Sequence, residues 1–196
     1  KDDILLSFLP LSHILERTAG YYMTIRNGAL MAFADSIEKV AENMLEIKPT
    51  VMVCVPRLFE KIYHRIFENA HQMPAVKKNL FHWAVDVGKQ YIATTYIHKS
   101  PSTLLNMKYA LADRLIFSKI RAKFGGNMKL FCSGGAPLDK TINEFFWVIG
   151  IPIFEGYGLT ETSPALSFNN FEHIRFGSVG VALDKEFQSV PLGKAE

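Results

Sequence analysis

Thr50-Val51-Met52-Val53-Cys54-Val55 runs directly into Pro56-Arg57-Leu58-Phe59, and this junction decides the fold class. Residues 50–55 are short, valine-rich and apolar without alternation. A strand wetted on one face alternates, whereas a continuous apolar run suits a parallel strand covered on both faces. Pro56-Arg57-Leu58-Phe59 reads as the start of a helix, and Leu58, Phe59, Ile62, Tyr63, Ile66 and Phe67 continue it with a strongly amphipathic spacing.

The same alternation extends upstream. Residues 4–9 form an apolar run closed by Pro10, and Ser12 is placed to cap a helix carrying Ile14, Leu15, Ala19, Tyr22 and Ile25, stopped by Asn27-Gly28. Residues 29–34 are strand-like. Asp35 and Glu38 have capping-box spacing before a helix with Ile37, Val40, Ala41, Met44 and Leu45 on one face and Pro49 beyond its end.

Downstream, two helical patterns occupy residues 76–91 and 104–124, the second closed by Gly125-Gly126. A strand at 128–132, a helix at 139–148 stopped by Gly150, and a strand at 151–154 follow. The expectation is an α/β fold: a mainly parallel sheet with flanking helices and a helical insertion at about 74–124. Ligands of such sheets bind beyond the carboxyl ends of the strands, so the loops after Leu9, Val55, Cys132 and Phe154 should carry the chemistry.

Composition limits the function classes. The chain has 196 residues, 48% hydrophobic and 21% charged, enough for a real core. Its 15 phenylalanines argue against disorder. A net charge of +3 is too mild for a typical nucleic-acid binder. Cys54 and Cys132 sit in separate apolar runs outside any CxxC pair, so free buried thiols are expected rather than a metal cluster or disulfide. No apolar run approaches the ~20 residues of a membrane span. Lys1-Asp2-Asp3 before a strand-like run does not read as a signal peptide. A soluble, cytoplasmic protein is expected, with a peripheral membrane contact open.

Three loops are chemically unusual. Ser133-Gly134-Gly135-Ala136-Pro137-Leu138 offers bare backbone against which a flat ligand can lie. Alone, paired glycines after a strand more often mark a tight turn. Glu155-Gly156-Tyr157-Gly158-Leu159-Thr160-Glu161-Thr162 offers a ring for stacking, a hydroxyl for a phosphate oxygen and a carboxylate for Mg²⁺. A turn with a packed tyrosine, leading into a helix, accounts for it equally. Its spacing is neither that of a dinucleotide GxGxxG nor that of a Walker loop. Pro10-Leu11-Ser12-His13-Ile14-Leu15-Glu16-Arg17 puts a histidine at a first helical turn, where it can face an acidic ligand or serve structure alone. Arg57 is a solvated charge or a carboxylate partner.

Together these segments are specific. Gly156-Tyr157-Gly158-Leu159-Thr160-Glu161-Thr162 closely resembles the signature of adenylate-forming enzymes, the superfamily of acyl-CoA synthetases, firefly luciferase and peptide-synthetase adenylation domains. Ser133 to Leu138 stands upstream as that family requires. Leu9-Pro10-Leu11-Ser12-His13-Ile14-Leu15-Glu16-Arg17 is similar to the long-chain acyl-CoA synthetase version of a histidine motif. Val55 to Tyr63 and the stretch holding Leu80-Phe81-His82-Trp83-Ala84 resemble that branch too. The likeness covers residues 1–182, including Gly177-Ser178-Val179-Gly180, as the central part of the large N-terminal AMP-binding domain; residues 183–196 do not continue it convincingly.

The resemblance implies specific roles. Gly135, Ala136 and Pro137 would cover one face of adenine and Tyr157 the other, among nucleotide-binding residues that also include Gly134, Glu155, Gly156, Gly158 and Thr160. Thr160 would also contact the α-phosphate, Glu161 would hold Mg²⁺, and His13 would sit near the acyl carboxylate and the α-phosphate. The implied substrates are a long-chain fatty acid, ATP and coenzyme A, with no nucleic acid. The family's lysine-bearing phosphate loop would precede residue 1. Its ribose-binding aspartate would follow residue 180, and its C-terminal domain with a catalytic lysine would lie beyond. A fragment inactive alone is the expectation.

Three rival readings stand beside it: a synthetase for an aryl or shorter acid, a non-catalytic binding module on the same fold, and a membrane-surface module. The last would use Lys77, Lys78 and Lys89 with Lys108, Arg114, Lys119, Arg121 and Lys123, for which a solvated helix face is the plainer account. The sequence does not indicate an oligomeric state.

Overall fold

The computed structural model describes residues 2–96 and 99–183. The expectations for the tail fall mostly on residues 184–196, outside the described residues. β1 (Ile4–Ser7) leads into a helical segment over residues 14–27, made of a π-helix (Glu16–Tyr22) followed by α1 (Met23–Asn27). Then come β2 (Leu30–Phe33), α2 (Val40–Ile47), β3 (Val51–Cys54) and α3 (Pro56–His71). α4 (Ala75–Tyr96), α5 (Thr103–Ala112), a second π-helical stretch (Asp113–Phe117) and α6 (Ser118–Ala122) fill the space before β4 (Leu130–Ser133). α7 (Lys140–Val148), β5 (Ile153–Gly158), a 3₁₀ turn (Thr160–Thr162), β6 (Ala165–Phe168) and β7 (Val181–Ala182) complete the order.

The seven strands form one sheet in the order β2-β1-β3-β4-β5-β6-β7. β1 to β5 are parallel, and β6 and β7 add antiparallel at one edge. The mainly parallel α/β fold expected from the strand runs is therefore present. The parallel part reads 2-1-3-4-5, so the chain reverses direction across the sheet between β1 and β3, the switch point where such folds leave a crevice.

Right-handed crossovers put the β1–β2 connection on one face and the remaining parallel connections on the other. The core agrees: α2, α3, α4, α6 and α7 contribute to one apolar cluster with Leu6, Met52 and Phe131, and residues 14–27 contribute nothing to it. Phe59 lies edge-on to Phe131 and Phe146, at centroid distances of 5.3 and 5.4 Å, a favoured aromatic geometry. Of the helices between β3 and β4, α4 and α5 dock on α7. Tyr91 of α4 stacks on Tyr109 of α5 at 4.1 Å, and the Tyr109 hydroxyl donates to the Val148 carbonyl at 3.1 Å.

Several local expectations are corrected. In residues 14–27 the buried line is Glu16, Gly20 and Thr24, whereas Tyr22 and Ile25 are exposed. Hydrogen bonding explains the inversion: Glu16 is bonded to Ser7, and the Thr24 hydroxyl donates to the Gly20 carbonyl at 2.6 Å. Ser12 does not cap this helix; the His13 Nδ1 accepts the Leu15 amide at 3.2 Å instead. Asp35 and Glu38 form no capping box, because α2 begins at Val40 and the Asp35 carboxylate accepts from the Asn43 side chain. Ile37 and Leu45 are exposed accordingly. Cys54 is buried as expected, but Cys132 is only partly so; both thiols are free. Among the described residues, no helix is long and apolar enough to cross a membrane.

The largest correction concerns Glu155 to Gly158. These residues are not a loop but part of β5: Glu155 still pairs with Ser133 of β4, and Gly156, Tyr157 and Gly158 pair antiparallel with β6. Glycine is required at 158 by close approach, since a Cβ there would lie 1.5 Å from the Pro164 carbonyl oxygen. The register shifts between Tyr157 and Gly158, an irregularity that re-aims the side chains at a strand end.

Candidate functional site

A cavity of about 840 Å³ opens on the face that carries the helix over residues 14–27. Leu5, Val51 and Leu130 lie level with one another across β1, β3 and β4 and all line it, with Cys132 two residues further along β4. In a strand, alternate residues share a face, so the cavity runs along the strands rather than sitting only at their ends. Leu15, Ala19 and Met23 of the overlying helix form its apolar side.

The carboxyl ends of the strands bring chemistry to the other end. His13, Gly134, Gly135, Gly156, Tyr157, Gly158, Thr160 and Glu161 all border this one cavity. They come from three stretches, the first more than a hundred residues before the other two, and the parallel order of β1, β4 and β5 makes them neighbours. Gly135 has φ +83°, a conformation L side chains rarely adopt, which bends the chain after β4 into a turn. Tyr157 is exposed, and Thr160 and Glu161 stand on an exposed 3₁₀ turn. Thr162 fastens that turn: its hydroxyl donates to the Pro164 carbonyl at 2.8 Å and accepts the Leu159 amide at 2.9 Å. Because His13 Nδ1 accepts a hydrogen bond, the neutral ring carries its proton on Nε2.

Three of the residues expected at the site lie apart from the cavity. Ala136 and Pro137 are exposed but do not border it. Glu155 is buried and its carboxylate is turned away, accepting from Asn143 Nδ2 at 2.8 Å and the Leu138 amide at 3.4 Å. Burial raises its pKa, and the Asn143 and Leu138 bonds partly oppose the rise. Glu155 thus braces the end of β5 against α7.

Glu16 was missed by reading apolar positions. It is fully buried, with Oε1 2.5 Å from the Ser7 hydroxyl, and Oε2 has no hydrogen-bond partner among the described residues. Desolvation raises its pKa, with the Ser7 bond acting in the opposite sense. A Cβ on Gly20 would lie 2.5 Å from Glu16 Oε1, so the carboxylate rests on glycine backbone one turn away. Glu16 and Gly20 at i and i+4 were the available signal. A π-helix at this point is consistent with a helix distorted to serve a site.

A divalent ion can be tested against the donors present. No cluster of three His, Cys, Asp or Glu side chains exists among the described residues. Glu161 borders the cavity, is exposed and has no ion pair among the described residues. One carboxylate completed by phosphate oxygens and water is how Mg²⁺ is commonly held with nucleotides, so the residues fit that ion and not a protein-only cage.

Comparison with known proteins adds a family likeness. A family model described as "AMP-binding enzyme" matches residues 1–188. The chain is 36% identical over 180 residues to the long-chain-fatty-acid–CoA ligase FadD15 of Mycobacterium tuberculosis, covering 92% of this chain and 29% of that protein. It is 34% identical over 187 residues to the long-chain-fatty-acid–CoA ligase ACSBG2 of Homo sapiens, covering 93% of this chain and 28% of that one. In structure it is similar to ATP-bound MatB from Rhodopseudomonas palustris, with a TM-score of 0.55 and 22% identity over 93% of this chain and 26% of that one. The chain therefore spans less than a third of the length of these relatives.

Proposed function

The chain belongs to the AMP-binding enzyme family, and on that premise we propose that it forms the adenine- and carboxylate-handling part of a long-chain fatty acid–CoA ligase. In the proposed reaction a fatty-acid carboxylate oxygen attacks the α-phosphorus of ATP and pyrophosphate leaves. The coenzyme A sulfur then attacks the acyl carbonyl, and AMP leaves. Residues 1–182 are read as the central part of the N-terminal AMP-binding domain.

One observation carries the reading: the polar residues of three separate motifs and an apolar stretch along the strands share a single cavity. Tyr157 would stack on adenine opposite the turn at Gly135, with Ala136 and Pro137 following it outside the cavity. Thr160 would donate to an α-phosphate oxygen, and His13 would donate from Nε2 to the carboxylate or phosphate oxygens that carry charge during the first step. Glu161 would hold Mg²⁺, which would offset the phosphate charge when bound. Leu5, Val51 and Leu130 would take the alkyl chain. A cavity that continues past the carboxyl ends of the strands favours an elongated acid over an aryl or short one.

Calorimetric titration of the chain with a non-hydrolysable palmitoyl-adenylate analogue tests this. Binding should weaken in Tyr157→Ala and Glu161→Ala variants. Equal binding by the double variant overturns the site assignment.

A further inference from the structure

A second recess, of about 370 Å³, lies on the opposite side of the sheet between α3, α4 and the stretch from residue 115 to 123. Its walls include Ile66 of α3, Phe81 of α4 and Ile116, which belong to the apolar cluster or pack against it, and the half-buried Leu80 of α4. Lys77, Lys119 and Lys123 complete the lining, and all three are exposed. Lys119 and Lys123 stand one helical turn apart, so their ammonium groups project from the same side of that helix.

Charge distinguishes the rim of the recess from its walls. No aspartate or glutamate lines it, and among the described residues none of the three lysines is in an ion pair. Arg121, between them in sequence, behaves differently: it is bound to both carboxylate oxygens of Asp113 and to the Ile149 carbonyl. The basic character of this helix is thus divided between one internal brace and a cationic rim. An apolar recess of this size falls at the lower end of the range for organic ligands, roughly 300–1,000 Å³. Three uncompensated cations around apolar walls complement a molecule with one alkyl chain and an anionic head.

We propose that this recess binds a fatty-acid anion, its chain against Ile66, Leu80, Phe81 and Ile116 and its carboxylate held by Lys77, Lys119 and Lys123. The site is separate from the first cavity, which lies across the sheet, and does not depend on the function proposed for it.

Photolabelling of the full chain with a dodecanoate bearing a terminal diazirine, below its micellar concentration, tests the site. Peptide mapping should place label within residues 66–81 and 115–123, and unlabelled dodecanoate should displace it. Label confined to residues bordering the first cavity overturns the proposal, as does equal displacement by neutral dodecanol. The variant carrying Lys77→Glu, Lys119→Glu and Lys123→Glu should label at this site roughly tenfold less, with labelling at the first cavity retained. Should that variant bind phosphatidylglycerol vesicles less while dodecanoate labelling is unchanged, the face is a bilayer contact and the proposal fails. The displacement experiment uses the unaltered chain and decides the matter even where the variant does not fold.

Discussion

The Ser7 hydroxyl donates to Glu16 Oε1 at 2.5 Å, tying the end of β1 to the helix that begins beside His13. That helix lies over its face of the sheet, so the bond helps fix how far His13 and Leu15 stand from the ends of β4 and β5. Leu15 also approaches the glycine turn: a Cβ on Gly134 would lie 3.1 Å from its Cδ1. A buried carboxylate that positions a site-lining helix is a costly device, since its second oxygen finds no partner among the described residues.

Gly20→Ala should expose that cost. The added methyl would meet the Glu16 carboxylate at 2.5 Å, and the helix must move or the Ser7 bond must break. Overpacking of this kind destabilises by about 1–3 kcal/mol. Urea denaturation should show the loss, and the double variant Gly20→Ala, Glu16→Ala should recover part of it. If Gly20→Ala alone is as stable as the native chain, the carboxylate does not rest on that glycine.

The pH dependence of stability has a defined sign. Burial raises the pKa of both Glu16 and Glu155 in the folded chain. The folded state therefore holds more protons than the unfolded one above the ordinary glutamate value of 4.5. Their contribution is fully present below that value and is lost as pH rises through the raised folded pKa values. Asp3 acts in the opposite direction, since its hydrogen bond to Lys129 lowers its pKa and its contribution disappears on acidification. Denaturation from acidic to neutral pH should show a decline that flattens in Glu16→Gln, Glu155→Gln. An unchanged decline in that double variant contradicts the assignment.

Residues 50–55 and the stripe from Leu58 to Phe67 were legible because burial on both faces, or along one helical line, writes itself into composition. β6 and β7 were not. They have four and two residues, and their pairing depends on Gly156 and Gly158 meeting Phe168 and Pro164, a contact between segments that periodicity within either one cannot show. The 14–27 helix was misread for a related reason: its apolar positions outnumber its buried ones, and hydrogen bonds to Ser7 and Gly20 decide its inward line. At the candidate site, the motif wording selected His13, Gly134, Gly135, Tyr157, Thr160 and Glu161, which the structure places around one cavity. It also selected Glu155, whose carboxylate is instead taken up by Asn143 and the Leu138 amide.

Gly158→Ala should separate the strand pair from the rest of the fold. Its Cβ would overlap the Pro164 carbonyl, displacing β6 and the turn that carries Thr160 and Glu161. The expected result is weaker binding of the palmitoyl-adenylate analogue with a smaller proportional loss in the global unfolding transition, because the apolar cluster lies on the other side of β5. A variant with unchanged hydrogen exchange at residues 156–168 counts against this close approach.

Asn143 offers the sharpest probe of how α7 supports the site. It is fully buried and donates from Nδ2 to Glu155 Oε1, one residue before the Gly156-Tyr157-Gly158 stretch. In Asn143→Asp the donor is replaced by a second carboxyl group, and two carboxylates in contact in a buried site cannot both ionise cheaply. At acidic pH the pair can share a proton and keep the hydrogen bond, so the variant should remain near native stability. As pH rises, ionisation of the pair should pull the folded state apart, with a loss at neutral pH larger than the about 1–3 kcal/mol expected for one unmade buried bond. Asn143→Ala supplies the contrast: it removes the bond without adding a charge, and should cost that smaller amount at acidic pH as well. Thermal melts of both variants across pH distinguish the cases. If Asn143→Asp loses the same stability at every pH, the Asn143–Glu155 bond is not what holds the end of β5 to α7.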